Sequence, residues 1–405
     1  MQSKSIAAFP AASRVGHISY AIRNIVAEAK AVEARGTPVR YLNIGDPVAF
    51  GFKTPPHIIE AAERAMRDGY NGYLPSPGIP EGREAVADEY ERRGVTVSPE
   101  RVLLTAGTSE GIDLALTATV DEGDEVLVPC PTYPMYTAVL AKLGARARPY
   151  RTDPNNQWFP DLDHMQSLVS SRTRVLVTID PNNPTGAVYP TRVRRAMIEL
   201  AERNNLIILA DEVYSELGYD GELPLLGTLD RDAPIISLSS LSKAYLAPGW
   251  RTGWLVAAPT PRLDEVMGAI RKLADGRLCS PGPMQYGVVA ALRGDRSHQP
   301  AFRRALEERA KLTTERMCAI PGIRCTLPHA AFYALPSVAL PPGRTDEHFI
   351  LSLLRETGIL CVHGSGFGMP PEQGYFRVVF LAEPKELSTI YDDLAAFTRR
   401  YLQNS

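Results

Sequence analysis

Long apolar runs are missing from this chain. Nowhere do 18 or more apolar residues follow one another, which excludes a helical membrane span. An excess of charge of either sign is missing too: 44 Lys and Arg face 46 Asp and Glu, a formal net charge of -2. No electrostatic footprint for nucleic acid follows from that balance. Cysteine is sparse. The five present (Cys130, Cys279, Cys318, Cys325 and Cys361) form no close CxxC pair, and their odd number argues against a disulfide framework. Reduced thiols and a cytoplasmic location are expected. The 7 histidines are scattered without metal-ligand spacing, so no metal site is expected. The opening residues hold no sustained apolar core, and no signal peptide is expected there. Internal repeats and low-complexity tracts are absent.

What the chain does have is alternation. At 405 residues it should hold roughly two domains with full-sized cores. Its 44% apolar and 22% charged residues are ordinary for a globular protein. Helical spacing of Ile22, Ile25, Val26, Ala29 and Val32 ends at Gly36, and further helical patterns cover 56–68 and 81–93. Between helices lie the apolar runs VLLTAG, EVLVPCPTY, RVLVTID, LIILADEVY, IISLSSLSK and GWLVAAP. Such alternation predicts βαβ units and an α/β fold, with a mostly parallel sheet between helices. From about Ala301 the texture changes to a charged helix, short strands near Ile323, Ala331 and Phe376, and a final helix. The expected division is an arm with part of a small domain over 1–49, a large domain over 50–295, and a smaller α+β domain over 296–405.

The polar residues cluster where strands end. In open α/β sheets ligands bind outside the carboxyl ends of the strands. Gly107, Thr108 and Ser109 follow VLLTA and precede a helix, so their backbone N–H groups suit a phosphate. Tyr133 follows EVLVPCP, Asn183 follows RVLVTI, Asp211 ends LIILA, and Lys243 follows IISLSSLS. Five neighbouring strands would thus deliver five groups to one crevice. A lone lysine is usually a solvated surface residue, a lone strand-end Asp usually caps a turn, and Asn-Pro usually just makes one. Their joint order, with Arg251 eight residues past Lys243, supplies the groups needed to hold pyridoxal 5′-phosphate. Lys243 would condense with its aldehyde and later move the substrate's Cα proton. Asp211 would keep the pyridine nitrogen protonated, a buried carboxylate tolerable because it is paired. Tyr214 and Asn183 would hydrogen-bond the ring hydroxyl, and Tyr133 would stack on the ring face. Arg251, with Ser242 and Ser240, would bind the phosphate.

The motifs DEVY, NNPTG, LSKAYLAPGWRTGW and YFRVVF resemble the fold-type I, class I/II aminotransferases, and the resemblance covers nearly the whole chain. It is nearest to the bacterial glutamate–pyruvate (alanine) aminotransferases, through SYAIRNIVAEAK, NIGDPVAFGF, WFPDLD and PNNPTGAVY. The resemblance implies that Arg377 binds the substrate α-carboxylate and that the backbone of Gly45 lies beside it. It implies a homodimer in which Tyr73 completes the neighbour's phosphate site. It also marks Tyr20 and Arg23 on the substrate side, with Arg23 as a retractable cation for a γ-carboxylate; a solvated residue of the first helix is the plainer alternative. Substrates would be amino acids and 2-oxo acids, with alanine and 2-oxoglutarate the expected pair. One departure is Ser239-Ser240 where those enzymes tend to carry Asn-Gly, which puts the role of Ser240 in doubt.

Other readings stay open at this point. The scaffold also serves other amino-acid transaminases, β-lyases and synthases. A sensor domain of a transcription regulator is disfavoured because no basic module precedes residue 50. The run from His363 to Gly368 looks like a nucleotide loop but lacks the helix and acidic residue that should follow. Cys279, Trp158, Trp250 and Trp254 are assigned to packing.

Overall fold

The structure, a computed structural model, describes residues 9–18 and 21–403. The centre of the molecule is an eight-stranded mixed sheet. From one edge to the other its strands are Val102–Thr105, Gly253–Ala257, Ile235–Ser240, Ile207–Asp211, Thr173–Ile179, Glu125–Cys130, Arg146–Asp153 and Phe159–Pro160. The five from Ile235–Ser240 to Arg146–Asp153 pair in parallel. Gly253–Ala257 runs antiparallel to both of its neighbours.

That strand corrects one expectation. The strand leading to Gly107 is not beside the strand leading to Lys243; Gly253–Ala257 lies between them. Because it runs the other way, it begins at the edge where the parallel strands end. Arg251 therefore reaches the same edge just before its strand starts, while the other groups reach it just after theirs stop.

The sheet is covered on both faces, as its apolar strands require. Period-2 alternation divides the side chains between two cores. Val102, Leu104, Trp254 and Val256 join the core that contains Ile58, Val86 and Tyr90. Leu103, Leu255 and Leu238 join the core that contains Ile112, Leu116 and Tyr136. Helix Pro56–Arg67 shows how the sequence makes such a layer: proline opens its first turn, and Ile58, Ala62 and Ala65 recur on one buried face.

The chain after residue 297 builds three helices, His298–Cys318, Asp346–Thr357 and Pro384–Gln403, against short strands. Tyr333–Ala334, Phe376–Val379 and Val362–His363 form one antiparallel sheet, with Phe376–Val379 in the middle. Arg40–Tyr41 pairs in parallel with Ile359–Leu360, which ties the N-terminal segment to this region. Thr345 caps Asp346–Thr357 by accepting from the His348 N–H. Among the described residues no helix is long and apolar enough to cross a membrane.

Candidate active site

The strand ends converge on a cavity of about 690 Å³. Thr108, Ser109, Tyr133, Asn183, Asp211 and Tyr214 line it, as do Ser240, Ser242, Lys243, Arg251, Gly45 and Arg377. Gly107 stands just behind, at the start of helix Thr108–Thr119. Its φ of 79° belongs to the left-handed region, and a Cβ there would lie 2.5 Å from Arg251 Nη2. Glycine is thus required twice over, by backbone and by space. Tyr73 is elsewhere: it is 83% exposed and takes no part in the cavity wall. Tyr20 and the side chain of Arg23 lie outside the described residues; the backbone of Arg23 belongs to helix Ala21–Glu33.

Lys243 is half-buried, and its Nζ donates to the Gly45 carbonyl at 2.8 Å. The rings of Phe332 and Tyr214 flank the amine, with centroids 5.4 and 5.8 Å away. Burial lowers its pKa to about 8, and the charges of Arg377 and Arg251 push the same way. An appreciable neutral fraction near pH 7–8 makes this amine a nucleophile and a base.

Asp211 ends its strand buried, with Oδ2 accepting from Tyr136 Oη at 3.0 Å and Oδ1 accepting from the Val213 N–H at 3.4 Å. Burial raises its pKa to about 6, and those two hydrogen bonds hold it down. Tyr214 Oη lies 2.8 Å from Tyr333 Oη. In the 182–186 turn, Asn182 Oδ1 accepts from the backbone N–H and hydroxyl of Thr185, which fixes the loop that presents Asn183. Asn183 Oδ1 accepts from Arg377 Nη1 at 3.0 Å.

Arg377 is buried on the strand Phe376–Val379, with Nη2 donating to the Asn43 carbonyl. Its guanidinium carbon sits 4.8 Å from the ring centroids of both Tyr333 and Phe367, held between two aromatic faces. The run from His363 to Gly368, set aside as a nucleotide loop, supplies Phe367 for that clamp. The sequence reading missed Tyr136, Tyr333 and Phe367. A usable signal existed for Tyr136 alone: it follows Tyr133 by three residues at the opening of helix Pro134–Leu143, on the same side of the first turn.

These residues fit pyridoxal 5′-phosphate. Thr108 Oγ1 is buried without a hydrogen-bond partner, at a helix N-terminus whose Gly107 touches Arg251. An anion there would meet a hydroxyl, helix N–H groups and a guanidinium. Asp211 is a buried carboxylate whose burial pushes its pKa up, so a ring cation beside it would relieve that cost.

Comparison with known proteins agrees. The family model for aminotransferase class I and II matches residues 37–391. The glutamate-pyruvate aminotransferase AlaA of Haemophilus influenzae is 36% identical over 404 residues, covering 98% of this chain and 99% of its own. An alanine aminotransferase of Mycobacterium tuberculosis is 35% identical over 410 residues, covering 98% of this chain and 94% of its own. The solved alanine aminotransferase from Pyrococcus furiosus superposes with a TM-score of 0.94 at 37% identity, over 96% of this chain and 100% of that one. A match of this extent, on a fold with the strand-end cavity and lysine already described, makes the chain a member of the class I and II aminotransferases, a fold-type I enzyme with pyridoxal 5′-phosphate as its cofactor.

Proposed function

We propose that the enzyme exchanges amino groups between L-alanine, or a related small amino acid, and 2-oxoglutarate by a ping-pong mechanism. It would act as a homodimer in the cytoplasm. The observation that carries the chemistry is the Lys243 amine, held near neutrality in one cavity with Asp211 and Arg377. The names of the relatives, alanine and glutamate-pyruvate aminotransferases, carry the substrate pair.

Thr108, Ser109, Ser240, Ser242 and Arg251 would hold the phosphate, and Tyr133 would cover the ring face. Asp211 would pair with the ring nitrogen, while Tyr214 and Asn183 would face the ring hydroxyl. When bound, the cofactor supplies an aldehyde for amino groups and a cationic ring that withdraws electrons from the bond being broken. Arg377 presents its fork to the substrate α-carboxylate, pre-oriented by two rings and Asn183. Gly45 contributes backbone alone at this point, because a side chain there would overlap the Tyr333 hydroxyl. Lys243, once free, would take the proton from the substrate Cα and deliver it within the same half-reaction, and the second half-reaction would run that transfer in reverse.

Arg23 is assigned to the γ-carboxylate of glutamate and 2-oxoglutarate, with Tyr20 beside it, because Arg377 is committed to the α-carboxylate. Tyr73 is assigned to the neighbouring subunit's phosphate site. The exposure of Ile59, Met66 and Tyr70 near it in sequence supports a surface covered by a second copy. The division into 1–49, 50–295 and 296–405 belongs to the same reading.

The test uses the enzyme loaded with pyridoxal 5′-phosphate, given single amino acids and then single 2-oxo acids. Cofactor absorbance follows each half-reaction. Alanine should discharge the aldehyde with release of pyruvate, and 2-oxoglutarate should restore it. A tenfold faster response to another amino acid would reassign the donor. Release of ammonia alongside the 2-oxo acid, with the cofactor left as aldehyde, would make the enzyme a lyase.

A further inference from the structure

Tyr333 stands on the short strand Tyr333–Ala334, opposite Val379 and next to the strand that carries Arg377. Its side chain is engaged on three sides. The Arg377 guanidinium lies over the ring, 4.8 Å from its centroid. The Tyr214 ring stands edge-on to it at 5.6 Å and 89°, and the two hydroxyl oxygens are 2.8 Å apart. The Tyr333 hydroxyl also fills the space a side chain at Gly45 would need, and Gly45 is the residue whose carbonyl holds Lys243 Nζ. One phenol thus touches the guanidinium, a second phenol and the backbone that positions the lysine.

Two neutral phenols in one O–H···O contact must share roles: one donates and the other accepts. Burial raises both, Tyr333 to about 12 and Tyr214 well above its usual value, so both keep their protons near pH 7. Their surroundings differ. Asp211 and Tyr133 raise both phenols, while Arg377, stacked on the Tyr333 ring, lowers Tyr333 and makes it the more acidic of the two. Lys243 Nζ, 5.8 Å from the Tyr214 ring, completes the charged groups near the pair. The more acidic phenol is the better donor. With Tyr333 donating, the Tyr214 proton is left to point into the cavity, and an oxygen that accepts one hydrogen bond donates the next more strongly.

We propose that Tyr333 is a positioning residue that relays the charge of Arg377 to Tyr214, so that filling the carboxylate subsite weakens the hydrogen bond Tyr214 gives to the cofactor ring. The proposal deepens the function proposed above and rests on its assignment of Tyr214 and Arg377.

The experiment loads the wild type, Tyr333→Phe, Tyr214→Phe and the double variant with pyridoxal 5′-phosphate. It follows the pH midpoint of the bound cofactor's absorbance without substrate, with and without propionate as an amine-free carboxylate. Tyr214 donation favours the deprotonated loaded enzyme, so its weakening raises the midpoint. Tyr333→Phe should raise it by about 0.5–1 pH unit, a three- to tenfold change in proton affinity. Tyr214→Phe should raise it further, and the double variant should match Tyr214→Phe alone. Propionate should raise the wild-type midpoint more than that of Tyr333→Phe. It should bind the two about equally, because the phenyl ring under Arg377 is kept. An unchanged midpoint in Tyr333→Phe while Tyr214→Phe shifts would overturn the relay. So would a double variant that shifts beyond Tyr214→Phe. An unchanged midpoint in Tyr214→Phe would instead remove the ring assignment on which the relay rests.

Discussion

The Tyr136 hydroxyl donates to Asp211 Oδ2 across 3.0 Å, between two buried side chains at the wall of the cavity. This contact joins the first turn of helix Pro134–Leu143 to the end of the strand Ile207–Asp211. Hydrogen bonds to charged groups are worth roughly 1.5–3 kcal/mol. Tyr136→Phe should therefore weaken pyridoxal 5′-phosphate binding by about ten- to a hundredfold, since that free energy no longer supports the ionised carboxylate. Equilibrium dialysis at pH 7.5 checks it. An affinity within twofold of wild type would show that Asp211 holds the ring without help.

Asp211 carries a stability consequence whose sign can be worked out. Its folded pKa is raised from 3.8 to about 6, so the folded apoenzyme prefers it protonated. Stability is then fully present below about pH 4 and lost as pH rises through about 6. The difference of roughly two pH units corresponds to about 3 kcal/mol. Apoenzyme with Asp211→Asn should be more stable than wild-type apoenzyme at pH 8, with the gap narrowing at pH 5. Adding cofactor should favour wild type again, while half-reactions of Asp211→Asn slow by orders of magnitude. Urea melts at the two pH values read the first part, and a gap that widens at pH 5 would refute it.

Tyr73 in trans predicts complementation. Tyr73→Phe and Lys243→Ala subunits, mixed and allowed to exchange, should give hybrids with one intact site and one doubly damaged site. Activity should rise above that of either variant alone. No gain on mixing, with exchange verified by mass, would place Tyr73 in its own subunit's site or in none.

Arg23 is expected to separate the two substrates. A charge-assisted bond of about 1.5–3 kcal/mol to a γ-carboxylate corresponds to roughly ten- to a hundredfold in kcat/KM. Arg23→Ala should lose that much with glutamate and 2-oxoglutarate and almost nothing with alanine and pyruvate. Equal losses for both pairs would point to a structural part for the first helix.

Four of the residues legible in the sequence share one property: each sits at or just past the end of an apolar run. Lys243, Asp211, Asn183 and Thr108 could be found because a strand points at them. Tyr333 and Phe367 could not, because each reads locally as an ordinary core aromatic, and Tyr136 offered only its spacing from Tyr133. Their partners are remote: Tyr136 reaches a residue 75 positions away, and Tyr333 one 119 positions away. Sheet order was illegible for a related reason. Nothing in GWLVAAP says that it slips between VLLTAG and IISLSSLS in the opposite direction. That follows from where its antiparallel pairing can be satisfied on both sides.

The reversed strand has one more consequence. Lys243 and Arg251 lie on the connection between Ile235–Ser240 and Gly253–Ala257, two strands that pair with each other. The spacing of the proposed covalent anchor and the proposed phosphate cation is thus a local property of two sequence-adjacent strands, joined by residues 241–252. Arg377 meets Asn183 across 194 positions. A folding chain can therefore set the first pair from near neighbours alone, but must complete most of its topology before the second exists. On the proposed assignment, the lysine–arginine pair comes from near neighbours in the chain, and the carboxylate subsite only from distant ones.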